Sequence, residues 1–319
     1  MRRLAAAALL LLSCGFTWPS VAYESDQYSH RLVPIADSAE LLDDVVNRVI
    51  TEVAAEWNGP RSDWKFALAL YWRLGGLHWV DKIERFAMES PEVERLPLTN
   101  RRGIFTGSPC WATRVNCIFG VGRTIRLAGV LVGTDKLGHF FSQGLKYYES
   151  AVRGQTLERV VARGEFNELW IFGELTTAIY SNADLVANYE GYLFYRSLFQ
   201  EGALPGKGPI LAWREGRPVV LRPFSWADHV NDYWDEALNP SHLGWGLQRF
   251  MTRRLPELCA EVRGHPDAFI PRSASELEHR YANIGLKPAP QNRLDRVCGL
   301  VDSGEEVVDG HAHSRPPGR

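Results

Sequence analysis

Apolar residues recur at helical spacing through most of the chain, and this periodicity restricts the fold more than any other feature. In residues 38–57 the apolar positions lie three or four residues apart, or side by side: Leu41, Leu42, Val45, Val49, Ile50 and Val53. A helix of about 3.6 residues per turn places them on one face, so we expect a helix capped by Asp37 or Ser38. Similar patterns predict further helices at 62–75, 80–89, 135–152, 157–163, 165–199, 225–238 and 246–262, and we expect the long stretch at 165–199 to be divided or bent.

The clearest β pattern lies at about residues 209–224. Two short apolar runs, Ile210–Trp213 and Pro218–Leu221, flank the glycine-containing turn Arg214–Arg217. Such runs joined by a short turn predict a β-hairpin. We therefore expect a mainly α fold, an irregular helical domain with one small hairpin.

The N-terminus has the pattern of a secretory signal. Met1–Arg3 is basic, and Leu4–Leu12 is an unbroken run of alanine and leucine. This run is too short to cross a bilayer, which takes about 20 residues as a helix. A basic start followed by a short apolar run and small residues indicates export. We therefore expect a protein of the bacterial periplasm.

Two positions for cleavage of this signal remain open. Cleavage after Ala22 would follow the small residues of Ser20–Ala22, so that residues 1–22 form the signal. Leu11–Cys14 instead resembles the bacterial lipobox, in which the cysteine is acylated and anchors the protein to a membrane. Any membrane contact is then expected only through Cys14. We expect one helical domain at 23–301 and a disordered tail at 302–319.

Charge and cysteine content restrict the function further. The chain of 319 residues has a net charge of −2, without the basic stripe of a nucleic-acid-binding protein. Apart from Cys14 it has four cysteines, and an even number in an exported chain suggests disulfides. We favour Cys110–Cys117 and Cys259–Cys298 because each pair closes the shorter loop, and free buried thiols are the alternative. The first pair lies in a segment, 96–133, that we expect to be irregular.

The first cluster of chemically active residues lies at 133–144. Asp135 and His139 are four residues apart, so they share a helix face with Ser142 and Lys146. An aspartate at this spacing can hold an imidazole in one tautomer or join it as a metal ligand. The alternative is a charged first turn on an exposed face.

The second cluster is a polar stripe in the segment 174–191. Its members step by three or four residues and are short side chains without lysine or arginine: Glu174, Thr177, Ser181, Asp184 and Asn188. Glu190 lies on the opposite, apolar side, where a carboxylate must be paired or protonated. The sequence leaves two interpretations open, a buried polar network and a solvent-exposed face of an amphipathic helix.

These two clusters carry a resemblance to known proteins. D-K-x-x-H-F at Asp135–Phe140, followed by D-x-x-A-N-x-x-G at Asp184–Gly191, resembles the pattern of VanZ-like proteins and of small bacterial envelope lipoproteins whose function is not established. The match covers about sixty residues. The resemblance implies that one set of residues acts together: Asp135, Lys136, His139, Asp184 and Asn188.

A third cluster mixes acidic and aromatic residues at 224–239. Asp228, Asp232 and Asp235 would share one face of a helix, with Glu236 beside them and Trp226, Tyr233 and Trp234 interleaved. Carboxyl pairs and aromatic platforms are typical of glycoside hydrolases. The alternative is an acidic helix whose aromatic side chains lie in the core.

Together these patterns predict an exported envelope protein that binds or processes a lipid or glycan. If it is an enzyme, we expect a hydrolase with His139, Asp135, Glu174 and Asp184 as catalytic residues. We expect substrate contacts from Lys136, Ser181, Asn188 and Glu190. A divalent metal held by His139, Asp135 and Asp184 is one form of this hypothesis. The rivals are a non-catalytic structural lipoprotein and a glycan hydrolase that uses Asp228–Glu236.

Overall fold

The computed structural model describes residues 24–76, 80–98, 103–170 and 177–300. The signal with Cys14, Glu174 and the tail beyond residue 301 lie outside the described residues, so the structure does not bear on those predictions.

The fold is mainly α, as the periodicity predicts. The helices are α1 (Ala39–Glu56), α2 (Asp63–Leu74), α3 (Lys82–Glu89), α4 (Asp135–Gly138), α5 (Gly144–Val152), α6 (Leu157–Trp170), α7 (Asn182–Ser197), α8 (Trp245–Arg254), α9 (Cys259–Gly264), α10 (Ala274–Arg280) and α11 (Leu294–Val297). A π-helical turn, His139–Gln143, joins α4 to α5, so the predicted helix at 135–152 is confirmed with one wider turn inside it.

The strands are short and pair two by two. They are β1 (Glu24–Ser25), β2 (Val121–Gly122), β3 (Thr124–Leu127), β4 (Val130–Gly133), β5 (Ile179–Tyr180), β6 (Leu211–Arg214), β7 (Arg217–Val220) and β8 (His242–Leu243). β1 pairs with β2 in parallel, whereas β3 pairs with β4, β5 with β8 and β6 with β7 in antiparallel fashion. The predicted hairpin at 209–224 is confirmed as β6 and β7.

The hairpin of β3 and β4 corrects the expectation that 96–133 is irregular. Its turn is Ala128–Gly129, and both residues have a positive φ, 50° and 82°. Asp37 connects this turn to α1, because its carboxylate accepts hydrogen bonds from the backbone N–H groups of Ala39, Ala128 and Gly129. The N-cap residue is Ser38, whose side chain makes no cap bond, and the carboxylate of Asp37 links the start of α1 to the hairpin that leads into α4.

The core around the site is rich in aromatic side chains. Phe140, in the π-helical turn, packs against Trp226 with ring centroids 4.9 Å apart and against Phe194 of α7 at 5.3 Å. Trp226 and Trp234 are fully buried. Burial of such rings contributes a few kcal/mol each and fixes the turn between α4 and α5.

Two glycines bring α5 and α7 into close contact. A Cβ on Gly144 would lie 2.6 Å from the Gly191 backbone, and a Cβ on Gly191 would lie 1.9 Å from the carbonyl oxygen of Phe140. Without these side chains the helix backbones approach closely enough for the polar residues of both motifs to meet.

Two of the predicted helices are wrong in part. The segment 225–238 forms two 3₁₀ turns, Trp226–Asp228 and Asp232–Trp234, because its aspartates bind separate partners away from one common face. The segment 165–199 is divided, as expected, since β5 precedes α7, but its predicted start is wrong because α6 runs through residue 164 to Trp170. Thr177 therefore lies before the helix instead of on it.

Both favoured cysteine pairs lie at disulfide distance. The Cα atoms of Cys110 and Cys117 are 5.9 Å apart, and those of Cys259 and Cys298 are 5.1 Å apart. Among the described residues, each helix is too short or too polar to span a bilayer.

Candidate functional site

Lys136 is the centre of a buried ionic cluster. Its side chain is 0 % exposed, at the second position of α4. Three carboxylate oxygens surround its Nζ atom: Asp135 Oδ2 at 2.6 Å, Asp184 Oδ1 at 2.6 Å and Glu236 Oε1 at 2.7 Å. An ammonium group can be buried only when it is paired in this way. The sequence pattern assigned Lys136 to substrate contacts, but the structure makes it the internal counter-ion.

The cluster has more acids than bases. Glu24 of β1 lies behind it, where its Oε1 accepts a hydrogen bond of 2.9 Å from the Thr177 hydroxyl. Burial raises the pKa of Glu24 well above its ordinary value, and the nearby charge of Glu236 adds to this effect. Burial would lower the pKa of Lys136, but the surrounding carboxylates outweigh it and raise this pKa well above its usual range. The lysine is therefore an ammonium ion and cannot act as a base.

Ser181 connects α7 to Glu236. It caps the helix by accepting a hydrogen bond of 3.2 Å from the backbone N–H of Asp184, and its hydroxyl donates to Glu236 Oε1 at 3.2 Å. Asp184 thus lies in the first turn of α7, where the helix dipole favours a carboxylate. Burial would raise the pKa of Asp184, but His139 and Lys136 outweigh this effect and hold its pKa below the ordinary value. Asp184 is the ionised carboxylate beside the histidine.

His139 is the member of the cluster that reaches solvent. Its side chain is 19 % exposed, whereas those of Asp135, Asp184 and Glu236 are at most 6 % exposed. Its Nε2 lies 3.2 Å from Asp184 Oδ2 and its Nδ1 lies 3.0 Å from Asn188 Oδ1. The structure therefore brings together His139, Asp135, Asp184 and Asn188, as the resemblance implies.

Both ring nitrogens of His139 face oxygen atoms of the protein. With the Asn188 amide oriented in this way, the ring donates on both sides as an imidazolium, and rotation of that amide would instead allow a neutral ring that donates only to Asp184. The His139 ring thus bridges Asp184 and Asn188 at the edge of a buried charge cluster.

The same arrangement does not favour the metal hypothesis. One oxygen from each of Asp135, Asp184 and Glu236 lies within 4.8 Å of the others, which is a spacing that metal ligands can have. The Lys136 ammonium, however, already lies within 2.7 Å of all three oxygens. At about 4 Å from a divalent ion it would add several kcal/mol of repulsion even at an effective dielectric constant of about 20. Nε2 of His139 lies 3.2 Å from Asp184 Oδ2, the oxygen of that carboxylate that does not face Lys136.

A second group of carboxyls lies beside α4 and the π-helical turn. Ser142 donates a hydrogen bond of 2.6 Å to Asp81 Oδ2, and burial raises the pKa of Asp81 to about 7 against the effects of Ser142 and the exposed Lys146. Burial also raises the pKa of Glu84 well above its ordinary value, with Asp135 as the next cause. A Cβ on Gly138 would lie 2.7 Å from Glu84 Oε2, so this carboxyl group rests on the backbone of α4.

Other predicted residues lie in separate networks. Glu190 is fully buried and binds His229, Tyr281 and Arg280, so it is not part of the Lys136 cluster. The three aspartates of the third cluster have different cationic partners: Lys207 and Arg222 for Asp228, Arg272 for Asp232, and Arg31 for Asp235. Trp226, Tyr233 and Trp234 are buried. Among the described residues of this segment, the rings are buried and the aspartates are bound to cations. They therefore do not form the exposed aromatic platform and carboxyl pair of a glycan-binding cleft.

Several residues of the site could not be found from local sequence patterns. Glu24 lies 112 residues before Lys136 and Glu236 lies 100 residues after it, and neither belongs to a helical stripe. Asp81 and Glu84 have one local signal, since they form a capping box at the start of α3. That signal predicts the helix but not its contact with α4.

The raised pKa of Glu236 gives a prediction for pH dependence. Burial, opposed by Lys136 and reinforced by Asp135, raises this pKa from 4.5 to about 7. Between pH 4.5 and 7 the folded state keeps a proton on Glu236 that the unfolded chain has lost. The contribution of this group to the free energy of unfolding is therefore greatest below pH 4.5 and falls as the pH rises towards 7. Glu236→Gln removes this loss, and its free energy of unfolding relative to wild type should rise by roughly 3 kcal/mol from pH 4.5 to 8.

Urea denaturation across this pH range measures the difference. Glu89→Gln, an exposed change in α3, is the matched control and should follow wild type at every pH. If the Glu236→Gln difference is independent of pH, Glu236 does not carry a raised pKa.

Comparison of the chain with family models, with curated proteins and with solved structures finds no match to any of the three.

Proposed function

We propose that this chain is an exported cell-envelope protein that binds an envelope lipid or glycan at the Lys136 cluster and hydrolyses it. One observation carries the proposal: the solvent-reaching His139 lies against the ionised Asp184, at the edge of a buried charge cluster. The resemblance to VanZ-like proteins and envelope lipoproteins supports an envelope role. The basic start followed by Leu4–Leu12 supports export, and two cysteine pairs suit an oxidising compartment.

His139 is the general acid and base in this proposal. Asp184 orients the ring through Nε2 and stabilises the imidazolium, as a carboxylate does beside a catalytic histidine. A substrate hydroxyl or water replaces Asn188 at Nδ1 during the reaction, since catalytic hydrogen bonds often form only with substrate. Lys136 keeps Asp184 ionised and acts as a positioning residue.

A non-catalytic structural role is the second candidate. Both ring nitrogens of His139 and all three carboxylates around Lys136 are engaged within the protein. In that case the network fixes the register of α4 against α7 and binds no substrate.

Loss of His139 separates the two candidates. We expect His139→Gln to lower the rate of hydrolysis about 10²- to 10⁴-fold, because general acid–base catalysis contributes that much. The assay incubates purified protein separately with a bacterial lipid extract and with peptidoglycan, and mass spectrometry detects the products. His279→Gln, an exposed change in α10, is the control and should retain full activity.

The free energy of unfolding of each variant is measured in parallel. Product formation that is equal in wild type and His139→Gln would exclude His139 as the catalytic group. If His139→Gln changes the free energy of unfolding while wild type hydrolyses neither the lipid extract nor peptidoglycan, the structural role is favoured.

A further inference from the structure

Two tryptophans in contact with each other lie exposed at the surface. Trp111 is 70 % exposed and Trp245 is 73 % exposed, and their ring centroids are 6.3 Å apart. Single exposed apolar residues are common, but a pair of exposed indoles is costly in water and indicates an interaction surface.

The fold holds these rings in place from two elements. Trp111 follows Cys110 in the loop closed by Cys110 and Cys117, and Trp245 begins α8. A Cβ on Gly246 would lie 2.6 Å from Cζ3 of Trp111, so the indole lies on the bare backbone of α8. The pair is therefore a product of tertiary packing between the loop and the helix.

A third apolar side chain lies on the same loop. Ile118, which is 64 % exposed, follows Cys117 as Trp111 follows Cys110. The Cα atoms of the two cysteines are 5.9 Å apart, so Trp111 and Ile118 each follow one of two neighbouring points of the backbone.

The charged residues of the two segments that carry these side chains are all basic. Residues 110–120 contain Arg114 and no acidic residue, and α8 contains three arginines and no acidic residue. The Arg249 guanidinium lies 6.0 Å from the centre of the Trp245 ring, and Arg253 follows one turn later on the same face. We call the five residues Trp111, Ile118, Trp245, Arg249 and Arg253 the tryptophan tip.

We propose that the tryptophan tip binds the surface of an anionic lipid bilayer. Tryptophan favours the boundary between lipid headgroups and acyl chains, and arginine binds lipid phosphates there. Ile118 has no polar atom, which suits insertion among acyl chains better than stacking on a sugar. This is a membrane contact in addition to an anchor at Cys14, and it does not depend on the proposed hydrolysis.

Vesicle sedimentation tests the proposal. The full chain carries Cys14→Ser, so that no acyl group contributes, and the vesicles contain phosphatidylglycerol and phosphatidylethanolamine. We expect the Trp111→Ala, Trp245→Ala double variant to lower the partition coefficient at least about tenfold, which corresponds to about 1.4 kcal/mol. Trp72→Ala, which removes a 41 % exposed tryptophan from α2, is the matched control and should bind as the parent does.

Charge dependence is tested with the Arg249→Gln, Arg253→Gln variant. It should bind the anionic vesicles several-fold more weakly and lose the preference over phosphatidylcholine vesicles. Equal binding by the double tryptophan variant and its parent would overturn the proposal. So would a parent that binds insoluble peptidoglycan but neither kind of vesicle. Urea denaturation confirms that each variant is folded before it is compared.

Discussion

Lys136→Met is expected to lower the free energy of unfolding by about 3–5 kcal/mol at pH 7. The substitution keeps most of the side-chain volume but leaves three carboxylates, now 2.6–2.7 Å from the ammonium, without their counter-ion. Removing one partner of a buried ion pair costs this much because the remaining charge stays desolvated. Urea denaturation measures the loss.

The pH dependence of this loss identifies its cause. Without Lys136 the carboxyls of the cluster take up protons at higher pH, so the variant should be closest to wild type at acidic pH and furthest from it above pH 7. Lys65→Met, an exposed change in α2, is the control and should change stability by less than about 0.5 kcal/mol. If Lys136→Met lowers the free energy of unfolding by less than about 1 kcal/mol, the stability of the cluster does not depend on the ammonium group.

Gly191→Ala is expected to destabilise the protein by about 1–3 kcal/mol or more, although alanine is the better helix former by about 1 kcal/mol. The new Cβ would lie 1.9 Å from the carbonyl oxygen of Phe140 and 3.0 Å from Cα of Gly144. Backbone atoms cannot turn away, so α5 and α7 must separate. Thermal and urea denaturation measure the effect.

Gly264→Ala provides the matched comparison for this prediction. Gly264 ends α9, and a Cβ there would have no neighbour within 4 Å. That variant should be neutral or slightly more stable. If Gly191→Ala is also neutral or stabilising, the two motif helices do not cross at these glycines.

The parts of the fold that the sequence predicts are those with local causes. Helix α1 follows from its apolar spacing, and α2 from Ser62, which accepts a hydrogen bond from the Lys65 backbone. The hairpin of β6 and β7 follows from two apolar runs around Gly216. Spacing fails where side chains bind distant partners, as at 225–238, where Asp235 binds Arg31 and Asp232 binds Arg272.

In the candidate site, too, local spacing predicts some of the residues, and the others depend on contacts between distant parts of the chain. Asp135 and His139 share a helix, as do Asp184 and Asn188, and each pair is visible as a spacing of four residues. The approach of the two helices depends on Gly144 and Gly191, and spacing alone gives these glycines no such role. The buried position of Lys136 depends on Glu236, which lies 100 residues further along the chain. Such a contact is a property of topology and is not encoded in a local pattern.

A double-mutant cycle between His139 and Asp184 tests the central claim, that the two motifs form one interacting site. The free energy of unfolding is measured for wild type, His139→Gln, Asp184→Asn and the double variant at pH 7. With Nε2 at 3.2 Å from the carboxylate, we expect a coupling free energy of about 1 kcal/mol or more. If the two single effects add to within about 0.3 kcal/mol, His139 and Asp184 do not interact, and the account of the site is wrong.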